Sequence, residues 1–391
     1  MYLKKRTWII CAVALVLITS FLTVCSINPL GFFELQNFQK MLTNISVLEK
    51  TYYEEIDNSK MVDGILAGAA YSLGDPYTGY IPAEQAEEFM SDIDLDFTGI
   101  GVYISADTTD DSIVVISAIA GSPAEAAGFV AGDKILEIAG KAVTGAQVDD
   151  VPNMIKGEAG TPITLKVLKN GENTPVEITL NRDNVKIQTV TSEMLKNKIG
   201  FIRITQFTKN TYDEFVDQFN TLVDQGLSSL ILDLRNNPGG RLDIAVNIAD
   251  SFIDDGNIVY TMDKKGRKHE YNAVKGAVEV PMVILTNEGS ASASEVVAGA
   301  LRDHGKAVTL GEKTFGKGVV QSPMQYKDGS IMKVTISRYY TPNGECIDKI
   351  GIAPDIEKPM SLEKYRNLSN LKKEEDEQLQ AAIKYLDNHA E

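Results

Sequence analysis

Apolar residues change their spacing along this chain, and each change predicts a different kind of segment. From Glu34 to about Asp94, Phe38, Met41, Leu42, Ile45 and Leu48 recur at three- and four-residue steps, and Met61, Ile65 and Leu66 begin a second run. That is the period of helices with one buried face. SLGDPYTGYIP (72–82) interrupts it with Gly74, Pro76 and Gly79, which reads as a break in a helical hairpin packed on a neighbour. From 97 to about 183 the period falls towards two. FTGIGVYI, SIVVISAI and AGDKILEIAGKAV predict strands, and TPITLKVLKNG with TPVEITLNR predicts a hairpin. SPAEAAG carries a compact helix signature: Ser122 as cap, Pro123 at the first helical position, Glu125 at the capping-box position and Gly128 as stop.

The remainder alternates strand and helix, the pattern of an α/β core. IGFIRI (199–204) predicts a strand. Thr211 and Glu214 open a helix with Phe215, Phe219, Leu222 and Val223 on one face, stopped by Gly226. LSSLILDLR (227–235) predicts a buried strand that runs into NNPGG. A helix through Ile244 to Ile253 follows, then strands at 258–261 and 281–286, a helix over 292–304, and the strand MKVTISRYY. The last 30 residues, rich in Glu, Lys and Leu, predict a terminal helix.

Composition narrows the class. A chain of 391 residues with 43% apolar and 24% charged residues can bury two or three domain cores. Its net charge of −16 argues against a nucleic-acid partner, because phosphates require a basic face. Lys4, Lys5 and Arg6 precede a stretch, 7–33, without charge. As a helix that stretch reaches roughly 40 Å, enough for a bilayer core of about 30 Å. The basic flank puts the N-terminus in the cytoplasm and the bulk outside. A cleavable signal peptide is the competing reading, but no small-x-small site closes the run. Cys11 and Cys25 lie inside the apolar run, leaving Cys346 alone beyond it, so no internal disulfide is available there. His269, His304 and His389 form no ligand-spaced cluster, and neither metal nor cofactor is expected.

One stretch needs its own explanation. NEGSASASE (287–295) sets Ser290, Ser292 and Ser294 at alternate positions where an apolar strand turns into a helix. Such a corner projects a side chain and offers free N–H groups at the positive end of the helix dipole. That suits a nucleophile, and helix capping would also account for a serine there. The base decides. His304 lies twelve residues past Ser292 on the same helix, roughly 18 Å along the axis, and cannot reach. His389 belongs to the polar tail and His269 to an exposed charged turn. A lysine can serve if desolvation lowers its pKa by about three, at a cost of roughly 4 kcal/mol. Lys317 has suitable neighbours in Phe315, Gly316, Gly318, Val319 and Val320, whereas Lys313 and Lys306 sit among polar residues. An exposed turn lysine would have the same sequence.

NEGSASASEVVAGALRDHG followed by GEKTFGKGVVQ, together with DLRNNPGG (233–240) and RYYTPNGECIDKIGIAPD (338–355), resembles the carboxyl-terminal processing peptidases, or tail-specific proteases. The resemblance runs from about Glu34 to about Pro359. It implies an α/β peptidase core of crotonase/ClpP-like ββα arrangement, an inserted β-rich PDZ domain, and helical N- and C-terminal segments. The corresponding division is 1–6 cytoplasmic tail, 7–30 transmembrane anchor, 34–96 helical segment, 97–183 PDZ domain, 184–360 serine peptidase core and 361–391 C-terminal helical segment.

Carried over by position, the resemblance makes Ser292 the nucleophile, Lys317 the general base and Gln321 the residue that orients the lysine. Ala293 and either Gly239 or Gly240 would supply the oxyanion N–H groups, with Ser290 and Ser294 left as turn and helix-start residues and Glu295 in the first turn. Gln321 is four residues past Lys317, so contact between them needs a bend. Gly99-Ile100-Gly101-Val102 occupies the place of the carboxylate-binding loop, where N–H groups would hold a peptide's C-terminus; a tight glycine turn entering a strand is the plainer reading. Two departures stand out. Pro152 falls in the expected groove helix, and Lys169 stands where similar proteins often have an arginine that links this module to the core. The implied protein is a membrane-anchored serine endopeptidase on the extracytoplasmic side, acting on protein C-terminal tails and expected as a homodimer. A peptide-docking scaffold without proteolysis is the rival; a missing dyad residue would favour it, and none is missing.

Overall fold

The computed structural model describes residues 8, 12–16, 18–20, 35–94, 96–107, 109–366, 368 and 371–389. The expected tail, 1–6, and most of the expected anchor, 7–30, lie outside them. Among the described residues no helix is long and apolar enough to cross a membrane. The chain divides into two compact units, Met1–Ala69 and Ala70–Glu391. Helices α1 (Leu35–Thr51) and α2 (Asn58–Tyr71) follow the expected three-to-four spacing. Asp57 starts α2 by accepting the Ser59 N–H at 2.9 Å. The break at 72–82 contains the short strand β1 (Gly79–Ile81), and helix α3 (Ala83–Asp94) follows.

The period-two region builds a separate β-rich module. Strands β2 (Asp96–Gly99) and β9 (Asp183–Lys186) pair antiparallel across its two ends. Between them run β3 (Val102–Asp107), β4 (Ser112–Ala118), helix α4 (Pro123–Ala126), β5 (Lys134–Ile138), β6 (Lys141–Ala142), helix α5 (Val151–Ile155), β7 (Pro162–Leu168) and β8 (Val176–Asn181). The sheet order is β3-β4-β5-β7-β8, with β6 on β5, so β3 is an edge strand. Alternation explains the packing: Ile163, Leu165 and Val167 of β7 are buried and their neighbours are not. Ser122 caps α4 as expected, accepting the Glu125 N–H at 3.2 Å. Pro152 is tolerated because it falls in the first turn of the five-residue α5, where its missing N–H costs nothing. Lys169 stays inside the module, bonded to Asp133 at 2.5 Å and to the Gly128 carbonyl at 2.6 Å.

Beyond it, β10 (Val190–Met194), β11 (Ile199–Ile204), helix α6 (Thr211–Asp224), β12 (Ser229–Asp233), helix α7 (Leu242–Asp250), β13 (Asn257–Asp263), β14 (Lys268–Asn272), β15 (Met282–Thr286), helix α8 (Ala293–Asp303), β16 (Val308–Gly311), β17 (Val319–Gln325), β18 (Ile331–Tyr340) and β19 (Ile356–Glu357) complete the core. The terminal segment holds helices α9 (Leu362–Arg366) and α10 (Glu377–His389) in place of one long helix. A six-stranded sheet, β10-β11-β12-β15-β16-β19, is parallel from β11 onwards. Its central strands β12 and β15 are buried along their whole length because both faces are covered. Leu230, Leu232, Met282 and Ile284 pack towards α6, α7 and α8, while Ile231, Val283 and Leu285 pack towards Leu379, Ala382 and Leu386 of α10. A second, antiparallel sheet has the order β1-β18-β13-β14, with β17 also on β18.

The C-terminal segment is also tied to the centre by charge. Arg235, just past β12, is buried; it bonds Asp233 through Nε and Nη2 at 2.8 Å each, and Asp376 at 3.0 and 2.8 Å. Burial alone would raise the Asp233 carboxyl, but the Arg235 charge overrides it and holds it below its ordinary value. Removing one partner leaves a buried charge unpaired. Asp376→Ala is therefore expected to lower stability by about 3–5 kcal/mol in urea unfolding; an unchanged midpoint would show that α10 does not depend on this contact.

Candidate active site

The loops after β12 and β15 leave the same end of two adjacent parallel strands, the crevice where α/β sheets place their ligands. Serine chemistry ties them together. Ser290 and Ser294 are fully buried, and their hydroxyls donate to the Leu234 and Asn237 carbonyls at 2.8 and 2.9 Å. The Ala291 N–H adds a bond to Asn237 O at 3.0 Å. The two outer serines are thus stitches between turns, which accounts for their alternation with Ser292.

Ser292 differs in every respect. Its backbone sits at φ +56°, ψ −113°, a sparsely populated region for a residue with a side chain. Such strain costs about 1–3 kcal/mol and persists only where neighbours over-determine it. Its side chain lines a cavity of about 550 Å³. Gly239 packs directly against it: a Cβ there would lie 2.8 Å from Ser292 Cβ and 2.9 Å from Ala293 N. At Gly240, φ is +135° and a Cβ would meet the Phe207 carbonyl oxygen at 2.1 Å. Both positions therefore require glycine.

Among the described residues, the Ala293 and Gly240 N–H groups have no hydrogen-bond partner. The Gly239 N–H is spent on Asn237 Oδ1 at 2.9 Å. Of the two glycines expected as donors, only Gly240 keeps its N–H available.

Glu295, buried three residues into the turn from Ser292, joins this corner to the 314–317 loop. One carboxylate oxygen accepts the Ser292 and Lys317 N–H groups, each at 2.8 Å. The other accepts the Thr314 hydroxyl at 2.6 Å and the Gly316 N–H at 2.8 Å. Burial raises its pKa, with these four bonds pulling the other way. The sequence marked Glu295 only as a first-turn acid.

Lys317 points into the same cavity as Ser292. Among the described residues its Nζ has no hydrogen bond or ion pair, and it lies 5.0 Å from the Tyr77 ring centre. Desolvation, then the Lys333 charge, lower its pKa from about 10.5, against a smaller opposing pull from Glu295. Lys313 is exposed, as expected, whereas Phe315 turns out to be 59% exposed and does not shield the lysine. Tyr77 and Tyr339 take that role. The Tyr339 hydroxyl donates to the Lys317 carbonyl. Its pKa is held well above the ordinary value by burial and then by Glu295, against a pull from the adjacent Ser292 hydroxyl.

Gln321 does not bond Lys317. A bulge between Val320 and Gln321 gives the expected bend, but the amide donates to the Tyr77 carbonyl at 2.5 Å. Tyr77 itself is fixed by an Asp75 turn, with its N–H 3.0 Å from Asp75 Oδ1. The GDPYTGY turn was the sequence signal for this residue, and it read as a plain helix break. None of the three histidines lines the cavity; His304 bonds the Asn257 carbonyl at 2.8 Å.

In the β-rich module, Gly99 and Ile100 are buried at the entrance to the edge strand β3, with Val102 half-buried against the module's core. The Ile100 carbonyl accepts from Ala124 N at 2.8 Å and the Gly101 carbonyl from Ile119 N at 2.9 Å.

A hydroxyl on a strained strand-to-helix corner, free N–H groups beside it and an unpaired, half-buried amine define a serine-type peptidase. Comparison with known proteins identifies which kind. Residues 198–358 match the profile of peptidase family S41, 114–169 that of a PDZ domain, and 27–85 that of the activating protease CtpB N-terminal domain. The carboxy-terminal processing protease CtpA of Bacillus subtilis is 39% identical over 321 residues, covering 82% of this chain and 68% of that protein. A CtpA-like serine protease of Staphylococcus aureus is 37% identical over 380 residues, covering 94% and 75%. The solved photosystem II D1 C-terminal processing protease is 32% identical with a TM-score of 0.50, covering 82% of this chain and 86% of that one. The chain belongs to the carboxy-terminal processing serine peptidases of family S41 and carries a PDZ domain.

Glu295→Gln keeps shape but sets an amide NH₂ against N–H donors. It is expected to cost about 2–4 kcal/mol of stability and to reduce kcat at least about 100-fold below the unfolding temperature. Wild-type kcat and thermal midpoint together would refute the stapling role.

Proposed function

We propose that this protein is a membrane-anchored endopeptidase in which Ser292 and Lys317 form a serine–lysine dyad acting on polypeptides held by their C-terminal tails. The observation that carries this is the Lys317 amine, desolvated, without a counterion among the described residues, and lining one cavity with Ser292 on its strained corner. A lysine so placed is a base when neutral. Lys317 removes the Ser292 proton as Oγ attacks the scissile carbonyl. The resulting oxyanion accepts from the Ala293 and Gly240 N–H groups. The lysine then protonates the leaving amine, and a water deprotonated by Lys317 clears the acyl-enzyme. Gln321 acts indirectly, by holding the Tyr77 carbonyl and hence the ring over which the lysine lies.

Tail capture follows from the PDZ module. With the Ile100 and Gly101 carbonyls engaged inward, trans peptide geometry directs the Gly101 and Val102 N–H groups the opposite way. They suit a terminal carboxylate, and the open edge of β3 suits an added strand. Half-buried Val102, Ile104 and Met154 favour an apolar last side chain. The core is read as crotonase/ClpP-like because β12 with α7 and β15 with α8 are successive strand–turn–helix units on one sheet. The uncharged 7–33 stretch behind Lys4, Lys5 and Arg6 supports the anchor, and with it an extracytoplasmic catalytic domain. The domain limits are those expected from the sequence, and a homodimer is retained as part of the reading.

Ser292→Ala and Lys317→Ala are each expected to fold normally and to lose at least about 10³-fold in cleavage of a tailed protein substrate, while Lys313→Ala keeps most activity. A serine-directed fluorophosphonate should label Ser292 in peptide mapping. Full activity in either dyad variant, or equal losses at Lys313 and Lys317, would overturn the assignment.

A further inference from the structure

The cavity at Ser292 has an unusual charge. Its described lining includes Lys317, Lys333 and Arg241 and no carboxylate, in a chain whose net charge is −16. Arg241 is paired with Asp243 at 2.9 Å. Lys333 has no ion pair among the described residues. It is held in place by its strand: β18 sets it opposite Gly79 of β1 on one side and Pro323 of β17 on the other. Its Nζ lies 5.5 Å from the Phe89 ring centre, a cation–π contact beside the cavity that both residues line.

We propose that Lys333 is a positioning residue that acts through Lys317, its ammonium across the shared cavity disfavouring a second ammonium there. This rests on Lys317 being the general base. The other groups around Lys317 do not supply that effect. Glu295, from α8, opposes it. Tyr77, from the 72–82 turn, and Tyr339, from β18, have their phenol pKa values raised by burial and stay neutral. Asp348 faces the tyrosines and is paired with Arg338 at 3.5 Å. Arg241, at the start of α7, has its own carboxylate. Lys333 is the second cause, after desolvation, of the lowered Lys317 pKa.

The test is the pH profile of kcat/KM for the full chain with Lys333→Met, which keeps the aliphatic stem against Phe89, and with Lys333→Arg, which restores the charge. For Lys333→Met the acid limb is expected to move up by about 0.5 to 1 pH, a three- to tenfold loss below the midpoint that disappears at high pH. Lys333→Arg should return the midpoint towards that of the wild type. An unmoved midpoint, or an equal loss at every pH, overturns the inference; a loss confined to acidic substrates and seen in KM overturns it in favour of substrate binding. Lys317→Ala, run in parallel, separates the two levels. Activity retained there removes the base itself, whereas activity lost there with an unmoved Lys333→Met midpoint removes only the role of Lys333.

Discussion

A single buried carboxylate sets the geometry on which this site depends. Glu295 accepts four hydrogen bonds, one from the segment that carries Ser292 and three from the loop that carries Lys317. The strained Ser292 backbone costs about 1–3 kcal/mol, and each bond to a charged group returns about 1.5–3 kcal/mol. Four such bonds outweigh the strain, although burial still leaves the Glu295 pKa above its ordinary value. The helix N-terminus adds to this, since an acid in the first turn of α8 meets the positive end of the helix dipole. Hydroxyl and amine are therefore positioned by one group that touches neither, and a shift in either loop disturbs the other.

A second set of bonds fixes the turns that carry the Gly240 and Ala293 N–H groups. Asn236 and Asn287 exchange hydrogen bonds across the two turns, Asn236 N to Asn287 Oδ1 at 2.9 Å and Asn287 Nδ2 to Asn236 Oδ1 at 2.8 Å. Asn237, fully buried, donates to the Ile204 carbonyl at 2.9 Å and accepts from Ser294, Ala291 and Gly239. Buried polar groups cost dearly when unpaired. A network this complete therefore has few alternative arrangements. It leaves the Gly240 and Ala293 N–H groups over, and the Arg235 cluster extends the same rigidity to α10. The C-terminal helix is part of the scaffold of the site.

What the sequence made legible was local. Alternation gave β7, apolar runs gave β12 and β15, three-to-four spacing gave α6, and the small residues of 287–295 marked the corner. Lys317 could be separated from Lys313 by its neighbours, although Phe315, one of those neighbours, faces solvent. What stayed hidden was the identity of partners far along the chain. Tyr77 stands 244 positions from Gln321, and Asp376 stands 141 from Arg235. No periodicity records such pairs, because each is created only when sheets and helices close. Glu295 was visible only as a first-turn acid, and the same side chain serves the loop across the cleft. The anchor was read from an uncharged run whose residues lie largely outside those described.

The charge of the cavity follows the same logic one step further. Under the proposed dyad, lowering the pKa of the base makes it a weaker proton acceptor, so a second ammonium beside Lys317 carries a cost as well as a gain. The gain is the larger. Each pH unit by which Lys317 moves towards neutrality raises its free-amine fraction about tenfold. The proton is only partly transferred when the bond to Ser292 forms, so the accompanying loss of driving force is smaller than that factor. A cationic cavity also favours the negative charge that develops on the scissile carbonyl oxygen. Lys333 thus opposes charge on the resting base and tolerates charge on the oxyanion, two effects of one sign that a carboxylate in its place would reverse.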